Sequence, residues 1–223
     1  MTDFPFRIVG FDLDGTLLDT SLDLGHALNH ALQQAGRPQV PLTEVAGLIG
    51  GGAKMMLERA MALTGGGDPA EIPAMHQELL RHYEANIAVH TRLFPGGEAM
   101  LDALDAHGVQ IALVTNKMEA LARLLLEELG LTGRFATIIG GDTLGPGRAK
   151  PQPDLLLEML ARLGGGRAAY VGDTTYDTRA ARAAGMPCVA VGFGFNDLPV
   201  HELGADAVIG HFSELVPALL RLT

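Results

Sequence analysis

Cysteine, tryptophan and basic residues are scarce in this chain. The 223 residues hold one cysteine, no tryptophan, and 16 Lys plus Arg against 26 Asp plus Glu, a formal charge of −10. The lone Cys188 excludes an internal disulfide and any cysteine-based zinc cluster, and suits a reducing compartment. In an apolar run, Pro187-Cys188-Val189-Ala190-Val191, it reads as an inert core thiol. Without basic tracts the chain is no partner for a nucleic-acid backbone, and an anionic ligand would need locally recruited cations. No apolar run approaches membrane-spanning length, and no basic segment precedes an apolar core near Met1. The expectation is a cytoplasmic protein that engages no membrane, with monomer and homodimer both open.

What the chain does have is alternation. Short apolar runs alternate with helical patterns, which predicts a doubly wound α/β core: a parallel, Rossmann-like sheet with helices on both faces. Strands are expected at Arg7–Phe11, Gln110–Thr115, Thr137–Gly140, Ala168–Gly172, Cys188–Val191 and Ala207–Ile209. Helices are expected at Glu98–His107, Glu119–Leu129, Pro153–Leu163 and Thr175–Ala184, with Gly108, Gly130, Gly164 and Gly185 as stops.

Residues 20–93 break the alternation, with helical patterns and no strand-like run between them. Ser21–Ala35, Thr43–Leu48, Ala53–Leu63 and Pro69–Val89 read as a small helical bundle. This is an inserted cap, with residues 1–19 and 94–223 forming the core around it. Phe94-Pro95-Gly96-Gly97 supplies turn chemistry where the core resumes.

The chemistry is concentrated in Phe11-Asp12-Leu13-Asp14-Gly15-Thr16-Leu17-Leu18-Asp19-Thr20, directly after Ile8-Val9-Gly10. Two carboxylates at a strand end stand where an α/β sheet presents its ligand crevice. Phosphomonoester hydrolysis needs a nucleophile, charge neutralisation on the phosphoryl oxygens and a proton for the leaving oxygen. Asp12 fits the first need, since a carboxylate is already ionised at neutral pH. Asp14 fits the last if it holds a proton, two neighbouring carboxyls being a known way to divide these roles. Neutralisation falls to a hard cation with oxygen ligands, for which Mg²⁺ and Asp173 are candidates, and to Thr115, Asn116 and Lys150. Asp177, four residues beyond Asp173, stands near a helix start where it can orient Lys150 or a metal-bound water. Each piece alone is ordinary: a DxD turn, a Thr-Asn cap, a loop lysine before proline. Their ordered occurrence at strand ends is what points to phosphoryl transfer.

Four segments, Phe11 to Thr20, Val114-Thr115-Asn116, Lys150-Pro151 and Val171 to Asp177, resemble the four motifs of the haloacid dehalogenase-like hydrolases, in that family's order and across most of the chain. The resemblance implies a Mg²⁺-dependent phosphatase acting on a small phosphate ester, with Asp12 as nucleophile and Asp14 as acid and base. It also implies metal ligands from the Asp12 carboxylate, the Asp14 backbone carbonyl and the Asp173 carboxylate. Asp14 argues against dehalogenases and phosphonatases, which lack this second Asp, although Lys54 offers a cap lysine of the kind phosphonatases use. Sugar phosphomutases typically carry a histidine twelve residues after the nucleophile, where this chain has Leu24. Asp19-Thr20-Ser21-Leu22-Asp23-Leu24, Gly50-Gly51-Gly52-Ala53 and Phe94-Pro95-Gly96-Gly97 resemble the phosphoglycolate phosphatase subgroup, making 2-phosphoglycolate the favoured substrate. A phospho-accepting receiver module is the alternative from another class; such modules are shorter and have no helical insertion after the first strand.

Other residues receive quieter readings. His26 and His30 have metal-binding spacing on a helix but no evident acidic partner, so they read as structural. Met55, Met56 and Met61 read as cap core, and Gly50-Gly51-Gly52 with Lys54 either as a substrate-facing loop or as a flexible connection.

Overall fold

The computed structural model describes residues 4–222. Its centre is β1 (Ile8–Phe11), whose four residues are all buried, as a strand covered on both faces must be. On one side β1 pairs with β4 (Gln110–Val114), which pairs with β5 (Thr137–Ile139). On the other it pairs with β6 (Ala168–Gly172), followed by β7 (Cys188–Val191) and β8 (Ala207–Ile209). All six strands are parallel, in the order β5-β4-β1-β6-β7-β8. Register matters at the centre: Phe11 lies between Leu113 and Val171. The chain leaves β1, β4 and β6 at one edge, and the order reverses direction across β1, the crevice where α/β sheets bind ligands.

Alternate strand residues feed two cores. Val9 and Phe11 join Leu101, Leu104, Leu125 and Leu215, from α5 (Gly97–Ala106), α6 (Glu119–Glu128) and α9 (Leu215–Arg221). Ile8 joins Leu155, Met159 and Ala180 on the opposite face, from α7 (Asp154–Arg162) and α8 (Thr175–Ala183). The helical insertion consists of α1 (Ser21–Gln34), α2 (Leu42–Val45), α3 (Ala53–Leu63) and α4 (Ile72–Ala85). Leu28, Leu32, Leu57 and Leu79 are fully buried in it and continuous with the first core.

Several boundaries differ from the sequence reading. The strands begin at Ile8 and stop before Thr115 and Gly140, which frees Thr115 to face the crevice. The helix expected over Pro69–Val89 opens as a 3₁₀ turn, Pro69–Glu71, with Asp68 accepting from the Ala70 amide at 2.9 Å. It ends at Ala85, where Asn86 turns back to donate to the His82 carbonyl at 2.9 Å. The segment expected over Thr43–Leu48 is one short helix continued by a 3₁₀ turn, Ala46–Leu48. A two-stranded antiparallel ribbon, β2 (Leu18–Asp19) with β3 (Arg92–Leu93), carries the chain into and out of the insertion. Two residues per strand are too few to leave a period-2 pattern in the sequence.

Beside that ribbon, the buried Asp23 carboxylate accepts from the His90 amide at 2.9 Å, the Thr91 amide at 2.8 Å and the Thr91 hydroxyl at 2.8 Å. It ties the start of α1 to the exit of the insertion. Removing it leaves buried donors unsatisfied. Asp23→Ala is expected to lower unfolding free energy by about 2–4 kcal/mol in a denaturant titration; a loss under about 0.5 kcal/mol, the scale of an ordinary surface change, would show that the tie is dispensable.

Candidate active site

Three adjacent strands deliver the site. Asp12 follows β1, Thr115 follows β4 and Asp173 follows β6, so their side chains meet at one edge of the sheet. The loop after β1 must pass close to Asp173. Gly15 has φ +85°, and a Cβ there would lie 2.3 Å from Asp173 Oδ2 and 2.7 Å from the Phe195 ring. Gly172 similarly lets α8 approach, because a Cβ on it would stand 2.3 Å from the Asp177 side chain. Neither position admits a side chain without displacing a carboxylate.

Asp173 is held on both oxygens: the Thr16 hydroxyl donates to Oδ1 at 2.7 Å and the Phe195 amide to Oδ2 at 2.8 Å. Asp177 forms a capping box with Thr174. Its Oδ2 accepts from the Thr174 amide and hydroxyl at 2.9 and 2.7 Å, and its Oδ1 accepts from Lys150 Nζ at 2.6 Å. Lys150 also donates to the Tyr170 hydroxyl at 2.9 Å. Its Nζ stands 2.9 Å from Asp12 Oδ1, within ion-pair range though off hydrogen-bonding angle. Across the crevice Lys117 Nζ donates to both oxygens of Asp14, at 2.9 and 3.1 Å. The two carboxylates of the DxD pair therefore have separate cations.

The charges do not balance. Among the described residues Asp12, Asp14, Asp173 and Asp177 face only Lys117 and Lys150, leaving a formal surplus of two negative charges. Burial pushes the Asp12 carboxyl up to about 6, against the pull of Lys150 and with a further push from Asp177 and Asp14. Burial, with Asp177 and Asp12 beside it, holds Asp173 well above the usual carboxylate range. Burial disfavours the Lys150 ammonium, but Asp12 and Asp177 outweigh it and raise that group. For Lys117, burial likewise opposes the charge and Asp14 more than restores it. A buried, oxygen-rich, electron-surplus cluster suits a hard divalent cation. Oxygens of Asp12, Asp173 and Asp177 lie within 4.8 Å of one another, a group that could hold such an ion.

Asp12, Asp14, Thr115 and Asn116 line a cavity of about 60 Å³ between the sheet edge and the insertion, walled by Leu24, Ile49, Gly50, Met56, Leu79 and Tyr83. Asn116 reaches the cavity, and its amide nitrogen donates to the carbonyls of Gly50 and Lys150 at 3.2 and 3.0 Å. It thereby ties the insertion loop to the core. Gly50 and Gly52 reach the cavity, whereas the Lys54 side chain is 69% exposed and lies 3.8 Å from Glu58. Met56 and Met61 are buried, and Met55 receives the Tyr176 hydroxyl. His30 has the acidic partner the sequence did not reveal, Glu78 of α4 at 2.7 Å. Among the described residues no histidine joins the metal-competent group. Cys188 is buried, and burial lifts its thiol well above its ordinary value.

Lys117, Thr16 and Tyr83 escaped the sequence reading. Lys117 directly follows Thr115-Asn116 and a strand-end lysine was a usable signal. Thr16 and Tyr83 carry none, since their roles depend on partners 157 residues away for Thr16 and across the insertion for Tyr83.

The sequence pattern of the haloacid dehalogenase-like hydrolases matches residues 9–191, and the chain belongs to that family. Among curated proteins it is 42% identical over 225 residues to the phosphoglycolate phosphatase of Agrobacterium fabrum, spanning 99% of this chain and 96% of that one. It is 39% identical over 223 residues to the Caulobacter vibrioides phosphoglycolate phosphatase, spanning 99% and 93%. Among solved structures, a predicted phosphoglycolate phosphatase from Haemophilus somnus superposes with TM-score 0.88 at 28% identity, covering 96% of this chain and 97% of that one.

The raised Asp12 carboxyl makes cation binding proton-linked. Below about pH 6 an incoming cation must displace the proton; above it Asp12 is already ionised. Mg²⁺ affinity measured calorimetrically is expected to fall at least about tenfold per pH unit below 6. An affinity constant from pH 5 to 8 would contradict the assignment.

Proposed function

We propose that the protein hydrolyses 2-phosphoglycolate to glycolate and phosphate, with Mg²⁺ and through an aspartyl-phosphate on Asp12. It is an enzyme, a phosphoric monoester hydrolase. The observation that carries the mechanism is the division of the DxD pair: Asp12 lies beside Lys150, Asp14 beside Lys117, and both line one small cavity. One carboxylate is placed to attack and the other to move protons.

Asp12, ionised at neutral pH, forms a bond from a carboxylate oxygen to phosphorus as the bond to the ester oxygen breaks. Asp14 gives that departing oxygen its proton. Its Lys117 pair must loosen first, because both Asp14 oxygens accept from the ammonium in the structure. In the second half Asp14 takes a proton from the water that attacks phosphorus, and the Asp12 carboxylate departs. The Asp12 and Asp173 carboxylates and the Asp14 backbone carbonyl would hold Mg²⁺, which would supply positive charge to the phosphoryl oxygens. Thr115 presents its hydroxyl to the same oxygens, and Asp177 fixes Lys150 beside Asp12. Asn116 acts at one remove, by fastening Gly50 to the Lys150 loop.

Residues 20–93 work as a cap that seals the cavity and reads the leaving group, while residues 1–19 and 94–223 carry the chemistry. Leu24 in the cavity wall and Lys54 outside it favour a plain phosphatase over a phosphomutase or phosphonatase. The relatives' names support 2-phosphoglycolate as substrate, and the small cavity between sheet edge and insertion suits a small phosphate ester. Among the described residues no helix is long and apolar enough to cross a membrane; with one buried free thiol, the proposed location is the cytoplasm.

With Mg²⁺ present, kcat/KM for 2-phosphoglycolate is expected to exceed that for sugar phosphates, nucleotides and pyrophosphate by at least about tenfold. Asp12→Asn should lose at least about 10⁴-fold in turnover. A flat, weak profile across the panel would remove the substrate assignment, and wild-type turnover in Asp12→Asn would remove the mechanism.

A further inference from the structure

We propose that Lys117 and Tyr83 form the subsite that holds a carboxylate on the leaving group, so that core and cap each supply half of the substrate's recognition. The inference rests on the phosphomonoesterase reading above and names the groups that would choose its substrate.

The cavity wall is mostly apolar, with Leu24, Ile49, Met56, Leu79 and Met118 around it. Among the described residues Lys117 is the cationic side chain that lines it. The other nearby cations are engaged elsewhere. Lys150 is buried on Asp12 and Asp177, Lys54 is exposed beside Glu58, and Arg59 donates to the Leu48 carbonyl at 3.2 Å and to the Tyr176 hydroxyl at 3.2 Å. Lys117 is itself buried, with Asp14 taking two donor directions. An ammonium has three. A second anion can therefore share it.

Tyr83 supplies the independent observation. It is 1% exposed, lines the same cavity, and lies with its ring 4.5 Å from Lys117 Nζ. Its hydroxyl is buried and makes no hydrogen bond of good geometry among the described residues, its nearest charged neighbour being the Lys117 ammonium. A buried phenol left unpaired is costly and uncommon; beside a buried cation it offers a donor to whatever anion the cation attracts. Tyr83 comes from α4 and Lys117 from the loop after β4, so the pair exists only while the insertion is seated on the core. The cavity is small and holds the DxD carboxylates together with this pair, so the anion that Lys117 and Tyr83 would bind lies close to the phosphoryl site. The ligand class is a phosphate ester of a short hydroxy acid.

The test compares 2-phosphoglycolate with ethyl phosphate, which keeps the ester and lacks the carboxylate, in wild type, Tyr83→Phe and Lys117→Met. The wild-type kcat/KM ratio of the acid to the neutral ester is expected to be large. Tyr83→Phe should reduce it about tenfold to a hundredfold, the scale of one hydrogen bond to a charged group, and Lys117→Met further. Because the hydroxyl makes no hydrogen bond of good geometry within the protein, Tyr83→Phe should keep or raise the thermal midpoint, so this variant decides the matter even if Lys117→Met fails to fold. A ratio that survives Tyr83→Phe, or a lowered midpoint with both substrates losing alike, overturns the subsite while leaving the enzyme a phosphoglycolate phosphatase. A wild type that prefers ethyl phosphate also overturns it, the phosphatase reading surviving. If another carboxylated phosphoester is preferred and Tyr83→Phe abolishes that preference, the subsite stands and 2-phosphoglycolate falls.

Discussion

Buried negative charge is the constraint around which this molecule is arranged. Four carboxylates converge where β1, β4 and β6 end, and among the described residues only Lys117 and Lys150 meet them. Such a cluster is costly to bury unless paired or coordinated, and much of the surrounding structure answers that cost. Thr16 and the Phe195 amide hold Asp173, a helix cap holds Asp177, and Tyr170 passes a hydrogen bond from Lys150 to the Val114 carbonyl. Gly15 and Gly172 are where backbone must approach these carboxylates too closely for any side chain. The surplus that remains is what a divalent cation and a phosphate ester would share.

The same constraint explains the insertion's placement. A phosphoryl transfer site works best without bulk water, because electrostatic interactions strengthen as solvent leaves. The insertion covers the sheet edge through Asn116, which joins Gly50 to the Lys150 backbone, and through apolar walls from α1, α3 and α4. The Asp23 tie and the short β2/β3 ribbon fix where the insertion enters and leaves. Residues from both sides thus face one narrow space.

Much of this was legible in the sequence, and the reasons it was legible are local. Six apolar runs with helix patterns between them are what a doubly wound sheet requires, and strand ends are where such sheets bind ligands. Asp12, Thr115, Lys150 and Asp173 each sit one step beyond a strand or beside a proline, so their convergence followed from topology alone. What stayed hidden depended on distant partners. Thr16 reads as part of a turn until Asp173 folds against it, and Tyr83 reads as one more apolar position of an amphipathic helix. Asn116 could be placed at the crevice, but nothing in the chain revealed that its amide nitrogen would be taken up by two backbone carbonyls. His30 likewise gained its acidic partner, Glu78, only through the packing of α1 against α4.

The account turns on Asp12 becoming covalently phosphorylated. The most direct measurement is a rapid acid quench of the enzyme mixed with Mg²⁺ and ³²P-labelled 2-phosphoglycolate, followed by peptide mapping. The account predicts a transient, hydroxylamine-labile label on the peptide containing Asp12, absent in Asp12→Asn. Labelled phosphate released at full rate, with no label on the protein at any time point, would contradict it.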